Sequence, residues 1–332
     1  MKTRKPTGII DTLWFGFVAV SRRLWLLLFP IGLDLYLWRG PHLSIQPLFE
    51  RLAAQLTAVP ARELGADMAG QVQLLRETVL ALGQGFNLFS LVVAQSVGVP
   101  SLLADPLVPS RSEVPTLTVS SPIEVLAIGL LLALGGLIIA TLWLGLVALA
   151  VRGAPGSPGE GQWAPRLWLR RGLVNSGRLI LIGLIFFAAS LTLLPMLLAL
   201  GLVTLVSPSV GLAVSSILSI ALVWLALWLT VHFYFVPEAV VLNSAGPLRA
   251  LSESFHIVGR NFWSALLFIG LVFVISRGLG FIWLDLASST PGLFLAILGN
   301  AYVGTSLLAA TFIFFTDRYQ LWQRQRAEES AR

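Results

Sequence analysis

The residues able to do chemistry are few, and most sit where a charge is expensive. Asp34 and Arg277 each interrupt a run of Leu, Ile, Phe and Val. An ionisable group in such a run has to be paired, hydrated or used, so each is a functional candidate. Asp34 lies four residues before Trp38 and Arg277 six before Trp283. If each Trp marks the same membrane interface, a rise of 1.5 Å per residue puts both charges about 6–9 Å below it. The spacing predicts an intramembrane Asp34–Arg277 pair. Snorkelling of Arg277 and an interfacial Asp34 are the other readings it allows. His232, close to Tyr234, and Asn300 are further polar groups in apolar runs. They suit a polar path, or hydrogen bonds between helices.

Other chemistry is poorly served. The three His residues, His42, His232 and His256, are far apart, and there is no Cys. No metal set, disulfide framework or thiol nucleophile can be assembled from these. No nucleophile clusters with an acid and a base, so neither an enzyme nor a cofactor is expected.

A different signal lies in 247–260. Pro247 suits a first helical turn and Gly259 a helix end. Leu248, Leu251, Phe255 and Val258 recur at helical spacing, which predicts one apolar face, with Arg249, Ser252, Glu253 and His256 on the others. Such a helix lies on the inner membrane surface or docks a partner.

These residues are positioned by long apolar elements. The 332 residues are 56% hydrophobic and 11% charged, against about 25% charged in a soluble domain. Apolar runs cover roughly 22–38, 123–151, 179–206, 211–242, 262–284 and 292–316. A spanning helix needs about 20 apolar residues, so six spans are expected, the first being the shortest. Residues 6–21 read as a helix at the cytoplasmic interface. The net charge of +6 is concentrated in alternate connections, around Arg4, Arg22, Arg170, Arg171, Arg260 and Arg324. The positive-inside rule puts these, and both termini, in the cytoplasm. The partners expected are membrane lipids and other membrane proteins or a second copy of the chain, with no nucleic acid.

Residues 40–121 are then outside. Leu64, Met68, Val72, Leu75, Val79 and Leu82 predict one face of a helix, and Leu48, Leu52 and Leu56 a shorter one. Residues 86–99 are apolar but hold Asn87, Gln95 and Ser96. A full span here would invert everything downstream, so the segment is interfacial or re-entrant. Pro100, Pro106, Pro109 and Pro115 make a stiff connector. Gly129, Ala133, Gly136 and Ala140, and Ala301, Thr305 and Ala309, form small-residue stripes for close packing. Pro30 and Pro195 are expected to kink their spans. Trp163 and Trp168, among Arg166, Arg170 and Arg171, read as an inner anchor. Similar stretches beginning at Val20, Asn175 and Val258 suggest three helical hairpins, each led by a surface helix.

Two resemblances bear on function. Phe235–Leu242 (FVPEAVVL), Ala250–Trp263 (ALSESFHIVGRNFW) and the close Phe314–Tyr319 (FFTDRY) resemble the membrane domain of some glycerophosphoryl diester phosphodiesterases and related uncharacterised bacterial six-span proteins. That resemblance implies a fold and no catalytic residue, since chemistry there belongs to a separate soluble domain. The second is to the coupling loop of binding-protein-dependent ABC permeases. Glu253, Gly259 and Ile269 keep its spacing, while Ser254, Phe255 and Val272 depart from it.

The reading is an all-α, polytopic membrane helix bundle with six transmembrane helices and amphipathic surface helices. Its parts are 1–39, an interfacial helix and first span; 40–121, an extracytoplasmic helical segment; and 122–332, a five-span bundle with a cytoplasmic tail. The function expected is that of a structural or accessory envelope or lipid-related protein of the bacterial inner membrane. The alternative is a transporter or permease subunit.

Overall fold

The chain is described by a computed structural model covering residues 7–56, 61–93, 98–104, 115–152 and 165–330. It is all-α, with α1 (Ile9–Ser21), α2 (Leu28–Arg39), α3 (Gln46–Leu56), α4 (Ala61–Gly85), α5 (Pro122–Arg152), α6 (Pro165–Leu191), α7 (Leu194–Val206), α8 (Pro208–His232), α9 (Val236–Asn243), α10 (Pro247–Arg260), α11 (Phe262–Leu286) and α12 (Thr290–Ser330). Two short strands, β1 (His42–Ser44) and β2 (Thr116–Thr118), pair in parallel with His42 opposite Thr116.

Among the described residues, five helical stretches are long and apolar enough to cross a bilayer: Pro122–Arg152, Pro165–Val203, Ser209–Asn243, Phe262–Leu286 and Thr290–Glu329. A sixth arises if α1 and Leu24–Arg39 count as one span, bent by 90°. The bend falls at Arg22–Arg23, and α2 alone, at 12 residues, covers only about 18 Å. Large apolar side chains along these helices point outward, among them Leu184, Phe187, Ile217, Trp224 and Phe273. Water would not tolerate that much contiguous apolar surface, whereas hydrocarbon does. The protein is a multi-pass membrane protein.

Several expectations change. Pro30 lies in the first turn of α2 and Pro195 in that of α7. Both start helices, as a residue without an N–H can; the third span is broken at Thr192–Leu193, just ahead of Pro195, where an interruption is expected. The helix α6 runs from Pro165 into its span without a separate surface helix, so the three-hairpin repeat is incomplete among the described residues. The helix α4 forms as expected, yet Leu75 and Leu82 on its apolar face are exposed; nothing is described for the side chains of Leu64 and Met68. Trp163, Gln95, Ser96, Pro106 and Pro109 lie outside the described residues.

The chain forms two compact units that interleave along the sequence. One comprises Met1–Ala19, Leu144–Ile275 and Leu307–Arg332; the other Val20–Trp143 and Ser276–Ser306.

Candidate functional site

In the unit built on Val20–Trp143, the segment after α4 leaves the surface and descends along α5. Asn87 fixes its start: its Oδ1 accepts from the N–H groups of Leu43 and Phe89, at 3.0 and 3.1 Å. A 3₁₀ turn, Leu88–Val92, follows. Leu88 and Leu91 pack at Gly129, and the backbone of Val92 lies directly against Gly136. Gly136 is 14 residues into a 31-residue helix, or about 21 Å from its start at 1.5 Å per residue. On the return, Pro100 lies against Gly304, itself 14 residues and about 21 Å into α12. Gly98, with φ of 82°, turns the backbone in the left-handed region that suits glycine. The described parts of this stretch, 86–93 and 98–104, thus lie alongside the middle of α5 and α12, as a re-entrant segment would. The sequence left that choice open.

Asp34 holds the returning strand. It is fully buried. Its Oδ1 accepts from the Ser101 hydroxyl and the Leu103 N–H (3.2 Å), and Oδ2 from the Leu102 N–H (3.0 Å). Ser101 Oγ also accepts from the Ala104 N–H. Leu102 then packs with Leu293, Ala296 and Ile297. Asp34 thus has different partners from the one its depth suggested: both oxygens are taken by the 101–104 turn, while Arg277 is exposed on α11. Matching depth was a one-dimensional argument, blind to a re-entrant turn arriving at the same level.

Asn300 lies one turn before Gly304 on the same face of α12. Its Nδ2 is buried without a hydrogen-bond partner, and so is Oγ1 of the fully buried Thr305. Buried polar groups are nearly always satisfied, so these two mark where the unit has hydrogen bonds left to make. The expected stripe Ala301, Thr305 and Ala309 is buried throughout.

The other unit holds the remaining candidates. The boundaries of α10 match the sequence reading, while its predicted apolar face divides, with Val258 buried, Leu251 half-buried and Leu248 and Phe255 exposed. Ala250, Glu253, Ser254, Ile257 and Val258 are buried, while Leu248 and Phe255 are exposed with Arg249, His256 and Arg260. In lipid the most apolar face need not turn inward, and a small or polar one can. Glu253 accepts from Arg249 Nε (2.7 Å), Asn243 Nδ2 (2.8 Å) and the Tyr319 hydroxyl (3.4 Å). The hydrogen bond to Glu253 raises the Arg249 guanidinium above its ordinary value. Ser254 Oγ donates to the His232 carbonyl (2.7 Å) and accepts from the Phe235 N–H (3.2 Å). It thereby caps the break between α8 and α9.

The His232 ring stacks on Trp228 at 4.2 Å, lies 5.1 Å from Phe255, and places Nδ1 2.9 Å from the Trp228 carbonyl oxygen. His256 stacks on Trp322 and Arg260 donates to Gln325, so α10 runs beside the last turns of α12. His232 belongs to this unit and Asn300 to the other. The residues quoted for the family resemblance meet here: Phe235 stacks on Phe314 at 5.3 Å, and Phe314 on Phe268 at 4.5 Å.

No protein-family model matches the chain, nor does any curated protein or solved structure. Sequence reasoning missed Ser101, Ser254 and the contacts of Gly136 and Gly304. A glycine in mid-span was the available signal, and it was assigned to helix–helix packing rather than to a loop.

Proposed function

We propose that this membrane protein serves transport, as a permease or permease subunit for a small polar solute. The observation that carries the reading is the descent of 86–104 to mid-depth of α5 and α12. Irregular backbone at membrane depth is sustained only where protein buries it or where it lines a water-filled cavity. Broken segments of that kind mark the binding sites of many transporters. Asn300 and Thr305, with unused hydrogen-bonding capacity at neighbouring levels of α12, are the residues proposed to meet the solute.

The natural chain has no Cys, which suits a thiol-accessibility test. Asn300→Cys, at a half-buried position, is expected to react with a membrane-impermeant methanethiosulfonate, and Leu295→Cys, exposed at 57% and facing lipid in this reading, is not. Failure of Asn300→Cys to react would mean a sealed bundle and would defeat the transport reading.

A second reading has support of its own. The pairing of α10 with the end of α12 forms a platform whose exposed Leu248, Phe255, Arg249 and Arg260 suit an anionic leaflet. This is the accessory, lipid-related role. In both readings the protein is not an enzyme, its termini are cytoplasmic, and its site is the bacterial inner membrane.

A further inference from the structure

Glu238 has no place in either reading. It lies in the first turn of α9 and is buried, as is Thr311 on α12. The Thr311 hydroxyl oxygen lies 2.7 Å from Glu238 Oε1 and 2.7 Å from the Leu308 carbonyl oxygen. A hydroxyl carries a single hydrogen. It can fill one of these short contacts, and the other then needs a hydrogen from elsewhere. The Leu308 carbonyl has none to give; a carboxyl proton supplies it, where the alternative is one hydrogen shared between two acceptors. Glu238 Oε2 has no partner, a poor setting for an ionised carboxylate, whose two oxygens need several donors.

The charged groups on the surrounding elements are engaged elsewhere. The helix α9 packs against α10 and α6. On α10, Arg249 is held by Glu253. On α6, Arg178 donates to Asn175, and Arg166, Arg170 and Arg171 are exposed. Arg152 donates to the Leu242 carbonyl, and on α12 Arg318 donates to the Thr7 carbonyl and lies 3.6 Å from Asp317, with its Nε and Nη1 buried and without a hydrogen-bond partner. Tyr234 is the titratable neighbour on Glu238's own stretch of chain. Among the described residues Glu238 joins no ion pair.

We infer that Glu238 is a proton-binding site within the fourth span, carried as a neutral acid whose O–H donates to Thr311, which in turn donates to the Leu308 carbonyl. Each short O···O contact then holds one hydrogen, and the chain of bonds ties α9 to α12. Position three of a helix favours negative charge and Glu238's own backbone N–H donates to its carboxyl group, but Oε2 is still left without a donor. The inference is independent of either functional reading.

Infrared spectroscopy of the full chain reconstituted in lipid at neutral pH tests it. The wild type is expected to show the C=O stretch of a protonated carboxyl group, shifted on transfer to D2O. Glu238→Gln, a neutral isostere that can make the same donation, should fold normally and lack the band. Thr311→Val should keep the band but shift its frequency, because its acceptor is gone. The inference is overturned if the wild type lacks the band, if the band survives in Glu238→Gln, if it disappears in Asp34→Asn instead, or if Glu238→Gln does not fold.

Discussion

The backbone of Val92 occupies the space that a side chain on Gly136 would need; its Cα and carbonyl carbon lie 2.6 Å from where a Cβ would stand. Backbone cannot rotate out of the way as a flexible side chain can. Gly136→Ala should therefore destabilise the protein by about 1–3 kcal/mol, the usual cost of overpacking. Gly135→Ala is the control, since nothing lies within 4 Å of its Cβ position, and it should leave the thermal unfolding midpoint in detergent unchanged. Equal midpoints for the two variants would remove Val92 from the middle of α5.

Asp34 works by accepting hydrogens. Asp34→Ala leaves the buried Leu102 N–H and the half-buried Leu103 N–H without acceptors, at about 1–3 kcal/mol for the former and less for the latter. Asp34→Asn retains one oxygen and should fall between Ala and the wild type in thermal stability. Arg277→Gln should have a smaller effect than either. An Arg277 variant as damaging as Asp34→Ala would reinstate the pair suggested by their depth.

How much of this was legible follows from which solvent each residue faces. The spans were readable because hydrocarbon demands long apolar runs, and the start of α10 because Pro247 opens it; its end comes at Arg260, with Asn261 as the cap rather than Gly259. Its buried face was not readable. Hydropathy separates inside from outside in water, but in a membrane Leu248 and Phe255 are as well placed outward as Ala250 and Ser254 are inward. The descent of 86–104 showed only as a conflict between an apolar run and the distribution of Arg. That conflict excluded a full span without giving the depth. The donors to Asp34 lie 67 or more residues away, beyond the reach of any local spacing.

Ser254 satisfies two backbone groups at the break between α8 and α9. Ser254→Ala should cost about 1–3 kcal/mol for each buried group it orphans. The amide exchange of Phe235 should accelerate with it. Unchanged exchange at Phe235 would show that the cap is not needed.

The Arg249–Glu253 pair should respond unequally. The Arg249 side chain is 63% exposed and that of Glu253 4%. Arg249→Ala is expected to cost under about 1 kcal/mol, as for surface pairs. Glu253→Ala should cost more, about 1–3 kcal/mol, because Asn243 loses its buried acceptor. Thermal melts of the two single variants check the order, and a reversed order would contradict the burial assigned to α10.

The sidedness of 86–104 is tested by single Cys residues at Gln84, Thr116 and Arg166, all exposed, labelled in sealed vesicles with an impermeant maleimide. A re-entrant segment predicts that Gln84→Cys and Thr116→Cys label from one face and Arg166→Cys from the other. Labelling of positions 84 and 116 from opposite faces would make the segment a full crossing and contradict the account.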